Sequence, residues 1–299
     1  MKVVSVIVRG LGAIIKTLRL ALPKLGVGWM FALLTINLNR ISIVELSIPA
    51  VAITGMLAMH YFLSPFQVIS GRIADKNPFF GLRRTPYLLL GGIAGSLVFV
   101  ALPSTVFAMS EGSVLGYMAG FGLLAVFGVA IAIMGDSHHS LIAEVTAPKS
   151  RGAVISVVWT FTILSTIIAA IVFNIVLPEY TPAAMQRLYN LTPLIVISSI
   201  LLGVVGIEKR LAGKELEEAI EKAERVAPKG NPIQAARQTL RDNKQARAFF
   251  AFIFVSIFSI FLQDNILEVF GAEVFNMPVT ETTKFQPTWG GGVLVGMIL

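Results

Sequence analysis

The sequence has no cysteine, only three histidines, and charged side chains at just 14% of its 299 positions. Without cysteine, disulfides and thiolate metal sites are excluded. A soluble domain carries about 25% charged residues, so this chain is too poor in charge for that class. The histidines, at 60, 138 and 139, have no further ligands at a zinc-binding spacing, and no metal site is expected. No nucleophile–base pair and no phosphate-cradling loop occurs, so nothing in the chain supports an enzyme. The formal charge of +7 reports loop topology in a membrane chain. Nucleic acid is not an expected partner.

What the chain has in abundance is apolar length. Hydrophobic residues make up 55% of it, mean hydropathy is +0.79, and apolar runs of roughly 18 residues or more recur. In lipid, every backbone polar group must be satisfied within its own segment, so such runs are helices. The fold class is an all-α polytopic membrane protein.

Residues 1–24 form a basic arm. Lys2, Arg9 and Lys16 recur at intervals of seven among Val, Ile and Leu. The spacing suits a helix lying in the membrane interface and equally suits a basic tail that orients the next span. Residues 25–207 hold six spans, beginning near Leu25, Val51, Pro86, Val114, Ala153 and Leu191. Residues 208–246 change character: charge is dense, an acidic run appears (Glu215, Glu217, Glu218, Glu221, Glu224), and Pro228, Gly230 and Pro232 interrupt it. This is a solvated linker. Residues 247–299 hold a seventh span, from about Phe249 into Gln263–Gly271, and an eighth that begins near Trp289. Only about 11 residues of the eighth are present, roughly 16 Å at 1.5 Å per residue. The sequence is therefore expected to continue beyond Leu299 or to be completed by a partner. Basic residues concentrate in the arm, in Arg72–Arg84, at Lys149 with Arg151, and in the linker. Six spans put all four on one side, and the positive-inside rule makes that side cytoplasmic, N terminus and linker included.

Two polar groupings interrupt the apolar pattern. Asn39, Arg40 and Glu45 lie late in the first span; Gln263, Asp264 and Glu268 lie in the seventh. An intramembrane carboxylate costs on the order of 2.5–3.5 kcal/mol even on lenient scales. The four-residue spacing of Asp264 and Glu268 puts them on one helical face. Arg40 and Glu45, five apart, point about 140° away from each other on an ideal α-helix. Arg40 is therefore expected to pair with Asp264 or Glu268, or else to snorkel to the interface. His60, in the second span, is either a pigment ligand or a hydrogen-bonded packing residue. His138 and His139 read as interfacial. Gly91, Gly92 and Gly95, with Gly116, Gly120 and Gly122, either let helices approach closely or leave slots for flat rings.

The loop Gly71-Arg72-Ile73-Ala74-Asp75-Lys76, followed by Gly81-Leu82-Arg83-Arg84, resembles the signature of the major facilitator superfamily, with about three extra residues between Asp75 and Gly81. In this loop Gly71 would allow close helix approach, and Asp75 would pair with an arginine across the inner mouth. Leu38-Asn39-Arg40, Val44-Glu45-Leu46, Pro49, the Gly81–Tyr87 loop, and the segment from Gln263 to Gly296 together resemble one branch, the PucC-like or bacteriochlorophyll delivery family. Val269 departs from that pattern, which carries proline after Glu268. The resemblance implies a facilitator fold: a six-helix half, a cytoplasmic linker and the start of a second half. It also implies a factor or subunit for light-harvesting complexes in a bacterial inner, intracytoplasmic or thylakoid membrane. Bacteriochlorophyll or chlorophyll would be its cofactor, and light-harvesting or reaction-centre polypeptides its partners, beside membrane lipids. The alternative from another class is a proton-coupled transporter of a small solute, with Glu45, Asp264 and Glu268 as relay.

Overall fold

A computed structural model describes the backbone of residues 2–226, 232–264 and 266–298, and the side chains of 10–225, 234, 237–259 and 266–296. Among these residues every regular element is helical, apart from one bridge between Phe79 and Leu82. Helix α1 (Lys2–Ala21) runs into α2 (Pro23–Ala32) and on through two π-helical segments, Leu33–Leu38 and Ile41–Glu45. The second span is α3 (Ala50–Phe62) and α4 (Phe66–Lys76). Then come α5 (Thr85–Ser110), α6 (Val114–Val145), α7 (Arg151–Val176) and α8 (Pro182–Val204). Six of these helical stretches are long and apolar enough to cross a membrane.

Local chemistry sets the ends. Ser113 caps α6 by accepting from the Gly116 N–H at 3.2 Å, and Thr181 caps α8 through the Ala184 N–H at 3.1 Å. Pro23 and Pro182 sit at helix starts, where a missing N–H is harmless. The sixth span begins at Pro182, nine residues before the position read from hydropathy. Its first turns carry Gln186, Tyr189 and Asn190, which depress hydropathy but bond within the protein. Gln186 reaches the Val100 carbonyl at 2.9 Å and Asn190 at 2.8 Å. The fourth span likewise continues to Val145, carrying Asp136, His138 and His139 inside a helix.

The first span is the most buried of the six. Its α2 portion packs on α7 and α8, while α5 packs on α6 and α8, and α6 receives α3 and α4. Trp29, Phe99, Phe127, Phe173 and Tyr189 fill the core. Trp29 donates to Thr192 at 3.1 Å and meets Phe173 edge-on at 5.5 Å. Lipid is as apolar as these side chains, so helix association rests on close packing. A Cβ on Gly91 would lie 2.6 Å from the Ala130 carbonyl oxygen, and one on Gly28 2.6 Å from that of Thr162. These glycines let α5 meet α6, and α2 meet α7, backbone to backbone. Gly122, by contrast, has open space beside it.

Helix α1 is docked at the basic end of the bundle. Lys16 Nζ donates to the Val145 carbonyl at 2.6 Å, and Arg19 to Leu202 and Val205 at 3.0 and 2.5 Å. Cations thus satisfy the last carbonyls of α6 and α8, where the helix dipoles favour positive charge.

Beyond the bundle lie α9 (Lys214–Val226), α10 (Pro232–Asp242), α11 (Lys244–Asp264), α12 (Leu267–Phe275), the short α13 (Val279–Thr282) and α14 (Phe285–Ile298). The seventh span expected from hydropathy ends at Asp264, and α12 starts afresh at Leu267 with Ile266 as N-cap. Asp264 and Glu268 therefore belong to different helices, and four-residue spacing no longer places them on one face. Helix α14 packs on α7, and α12 on the second π-helical segment. The described side chains of α11 from Phe249 to Ser259 are exposed, except the half-buried Ser256.

Candidate functional site

At the basic end, the Gly71–Tyr87 loop builds a charged network. Arg84, buried at the start of α5, donates from Nη2 to Asp75 and from Nε and Nη2 to Glu144 at 2.9 and 2.8 Å. Arg83 adds a 3.2 Å bond to Glu144. One guanidinium thus ties α4, α5 and α6 together. Burial alone would lower its pKa, but the Glu144 and Asp75 carboxylates outweigh this and hold it above its ordinary value. Gly71 leaves room for Asp136, whose Oδ2 would stand 2.9 Å from a Cβ there.

Glu208 completes the network from a distance. Its Oε1 accepts the N–H groups of Arg83 and Arg84 at 2.6 and 2.9 Å, and its Oε2 that of Thr85 at 2.7 Å. Helix α5 has Arg84 at its N-cap and no capping side chain of its own. A carboxylate more than 120 residues along the chain takes that role, where the dipole favours an anion. The Leu211 N–H donates to the Gly81 carbonyl at 2.9 Å, and Gly81 has φ +76° with the Leu211 oxygen 2.3 Å from where a Cβ would be. Only glycine fits both demands. Sequence reading named Asp75, Arg83 and Arg84 but missed Glu144 and Glu208. The available signal was the absence of Ser, Thr, Asp or Asn before Thr85-Pro86, which calls for an outside acceptor.

At the opposite end, the π-helical segments overturn one expectation. Arg40 Nη1 donates to Glu45 Oε1 at 2.7 Å, with the guanidinium side chain only 4% exposed. Residues five apart point away from each other on an α-helix. Here, however, the Asn39 N–H bonds to the Leu34 carbonyl and the Leu46 N–H to Ile41, the i→i+5 pattern of a π-helix, which brings such pairs onto one side. Arg40 Nη2 also donates to the Met277 carbonyl at 3.3 Å, just past α12. Among the described residues its hydrogen-bonding partners are Glu45 and Met277, not the Glu268 carboxylate. Glu268 itself is fully buried in α12, the helix that packs on the second π-helical segment. The side chains of Gln263 and Asp264 lie outside the described residues. Asn37 Oδ1, Arg40 Nε and Ser42 Oγ are buried without hydrogen-bond partners among the described residues. Burial, and then the nearby Glu45 carboxylate, push the Tyr180 phenol up.

His60 lies at the end of α3 with Nδ1 2.6 Å from the Leu57 carbonyl. Its Nε2 is buried with no hydrogen-bond partner among the described residues, the donor arrangement an axial ligand needs. The ring is walled in, however. Tyr61 lies 3.8 Å away between centroids, Phe31 and Phe127 meet it edge-on at 5.4 and 5.9 Å, and Gly128 closes on its backbone. The nitrogen suits a tetrapyrrole metal, but the space around it does not admit the macrocycle. His138 is buried, with Nε2 2.7 Å from the Leu20 carbonyl beside the α1–α2 joint. No cluster of three or more His, Asp or Glu suited to a metal occurs among the described residues.

Comparison with known proteins places this architecture. The PUCC protein family matches residues 37–299. The chain is 29% identical over 289 residues to the bacteriochlorophyll synthase 44.5 kDa chain of Rhodobacter capsulatus, covering 94% of this chain and 62% of that one. It is 27% identical over 290 residues to protein PucC of Rhodobacter capsulatus, at 94% and 61% coverage. With protein PucC of Rhodovulum sulfidophilum it shares 25% over 293 residues, at 94% and 62%. The chain thus spans about three fifths of the length of the curated relatives it matches. With its match extending from the first span to the last residue, this multi-pass membrane chain belongs to the PUCC protein family.

Proposed function

We propose that the protein serves the assembly of photosynthetic light-harvesting complexes, as a non-enzymatic membrane factor that holds or hands over (bacterio)chlorophyll and escorts antenna or reaction-centre polypeptides. The observation that carries this reading is the family match over residues 37–299, with one relative named for bacteriochlorophyll. The fold would be the first half of a facilitator-type bundle plus the start of a second, in a bacterial inner or intracytoplasmic membrane. The basic end, with Lys16, Arg19, Arg83, Arg84 and Arg151, favours a cytoplasmic N terminus and linker. Pigment ligation at His60 would require Phe31 and Phe127 to part; a pigment carried elsewhere would leave them in place. Deleting the gene in a phototrophic host should remove the antenna absorption bands from membranes while free pigment persists. Intact antenna bands would refute the reading.

The second reading, a proton-coupled transporter, is favoured by one feature: the wholly buried Glu268 lies on a helix that packs on the π-helical segment Ile41–Glu45, whose N-cap is Arg40. In it, Glu45, Asp264 and Glu268 form the relay within a polar network that includes Asn39, Arg40 and Gln263, and the Asp75–Arg84–Glu144 network acts as the inner gate. Glu268→Gln would then abolish solute-dependent proton uptake in proteoliposomes. Antenna loss without any uptake defect would decide for the assembly role.

A further inference from the structure

A groove of about 330 Å³ runs between α1 and α7 at the basic end of the bundle, within the usual range of ligand clefts. Ala13, Ile14 and Leu18 form one wall, and Ala153, Val154 and Val157 the other. Of its two polar lining residues, Thr17 already donates its hydroxyl to the Ala13 carbonyl at 2.9 Å, and Ser150 stands where α7 begins. The lining is therefore apolar on both walls, with Ser150 at one edge, and suits a hydrocarbon chain. Lys149 and Arg151 flank Ser150, and Lys16 neighbours Thr17. Arg151 and Lys16 are held by the Ala143 and Val145 carbonyls, which fixes their position without neutralising their charge. Lys149 is exposed and has no ion pair among the described residues. The acidic residue closest in sequence to these carbonyls, Glu144, is already occupied by Arg83 and Arg84. Leu11, Ile14 and Ile15 leave the outer face of α1 apolar and exposed, as for a helix at the lipid boundary.

We propose that this groove binds one acyl chain of an anionic membrane phospholipid, with the headgroup phosphate held by Lys149 beside Arg151 and Lys16. Charge complementarity selects the occupant: an apolar groove whose lining residues Thr17 and Ser150 have three cations as chain neighbours fits a chain that carries a negative head.

The test uses the delipidated full chain in detergent with equal phosphatidylglycerol and phosphatidylcholine, and counts retained lipids by native mass spectrometry. One phosphatidylglycerol should be retained over phosphatidylcholine, about fivefold for each basic residue near the headgroup. Lys149→Gln should reduce that preference about fivefold. Ala153→Trp, and independently Ala13→Trp from the facing wall, should remove the bound lipid whatever its headgroup, while Arg187→Gln changes nothing. Size-exclusion profiles identify any variant that fails to fold, and the other filler then decides. Equal retention of the two lipids, unchanged preference in Lys149→Gln, lipid persisting in the folded filled variants, or a lipid-free dimer would each overturn the proposal.

Discussion

Removing the Glu208 carboxylate should loosen the start of α5 more than any exposed change in the linker. In Glu208→Ala, three backbone N–H groups lose their acceptor at 2.6, 2.9 and 2.7 Å. A hydrogen bond to a charged group contributes about 1.5–3 kcal/mol, but Glu208 is half-buried and water can replace part of it. A lost N-cap costs about 0.5–2 kcal/mol, with a further 0.3–1 for the anion at the dipole. A total near 2 kcal/mol is the reasonable expectation, which is about a 30-fold fall in protection. Hydrogen exchange of the Arg83, Arg84 and Thr85 amides in detergent reads this directly. Glu208→Gln retains acceptor oxygen and should lose only about a third to a half of it. The linker should also become more open to protease near Leu211, since the neighbouring Leu211–Gly81 bond then holds the linker to the loop without the support of Glu208. If the three amides exchange no faster in Glu208→Ala, the capping argument is wrong.

Other perturbations follow from the same geometry. Arg84→Ala leaves Asp75 and Glu144 facing each other with only the looser contacts of Arg83, at 4.0 and 3.2 Å. Both carboxylates are about 30% exposed, so the loss should be about 1–2 kcal/mol rather than the 3–5 of a fully buried pair, seen as a lower detergent melting temperature. Arg84→Lys should recover less than half, because an ammonium cannot bridge two carboxylates in one plane. Glu45→Gln strips the charge partner from the buried Arg40 and should cost about 1–3 kcal/mol, while the double change with Arg40→Met should be milder than the sum. Gly28→Leu or Gly91→Leu drives a side chain into a neighbouring backbone; each should cost about 1–3 kcal/mol or more and reduce the yield of folded protein, whereas Gly122→Ala should be silent.

How much of this was legible beforehand depends on the range of the interaction. The spans were visible because lipid imposes its demand on each stretch of chain separately: apolar length is a local property. The Gly71–Arg84 loop was legible for a related reason, since Asp75 and Arg84 lie nine residues apart on a short connection. Glu144 and Glu208 carry no local sign of their role. Each is an ordinary acid at a helix end until folding brings α6 and the linker to the loop.

The pair Arg40–Glu45 shows the same division from the other side. Residue types and spacing located a buried charge and proposed remote carboxylates for it, on the premise of 3.6 residues per turn. The first span instead adopts π-helical geometry, which gives Arg40 a carboxylate partner five residues away, while the Asp264 side chain lies outside the described residues. The end of α11 at Asp264 and the fresh start of α12 at Leu267 belong here too: hydropathy suggested one span running on into Gln263–Gly271, yet Glu268 is buried on a separate helix that packs on the first span. Sequence alone determined that this chain is a bundle of membrane helices with a basic end, because hydrophobicity and charge act residue by residue. Only the tertiary structure decided which acid meets which cation and where a helix changes pitch or stops. Those outcomes depend on the packing of segments that are distant in the chain.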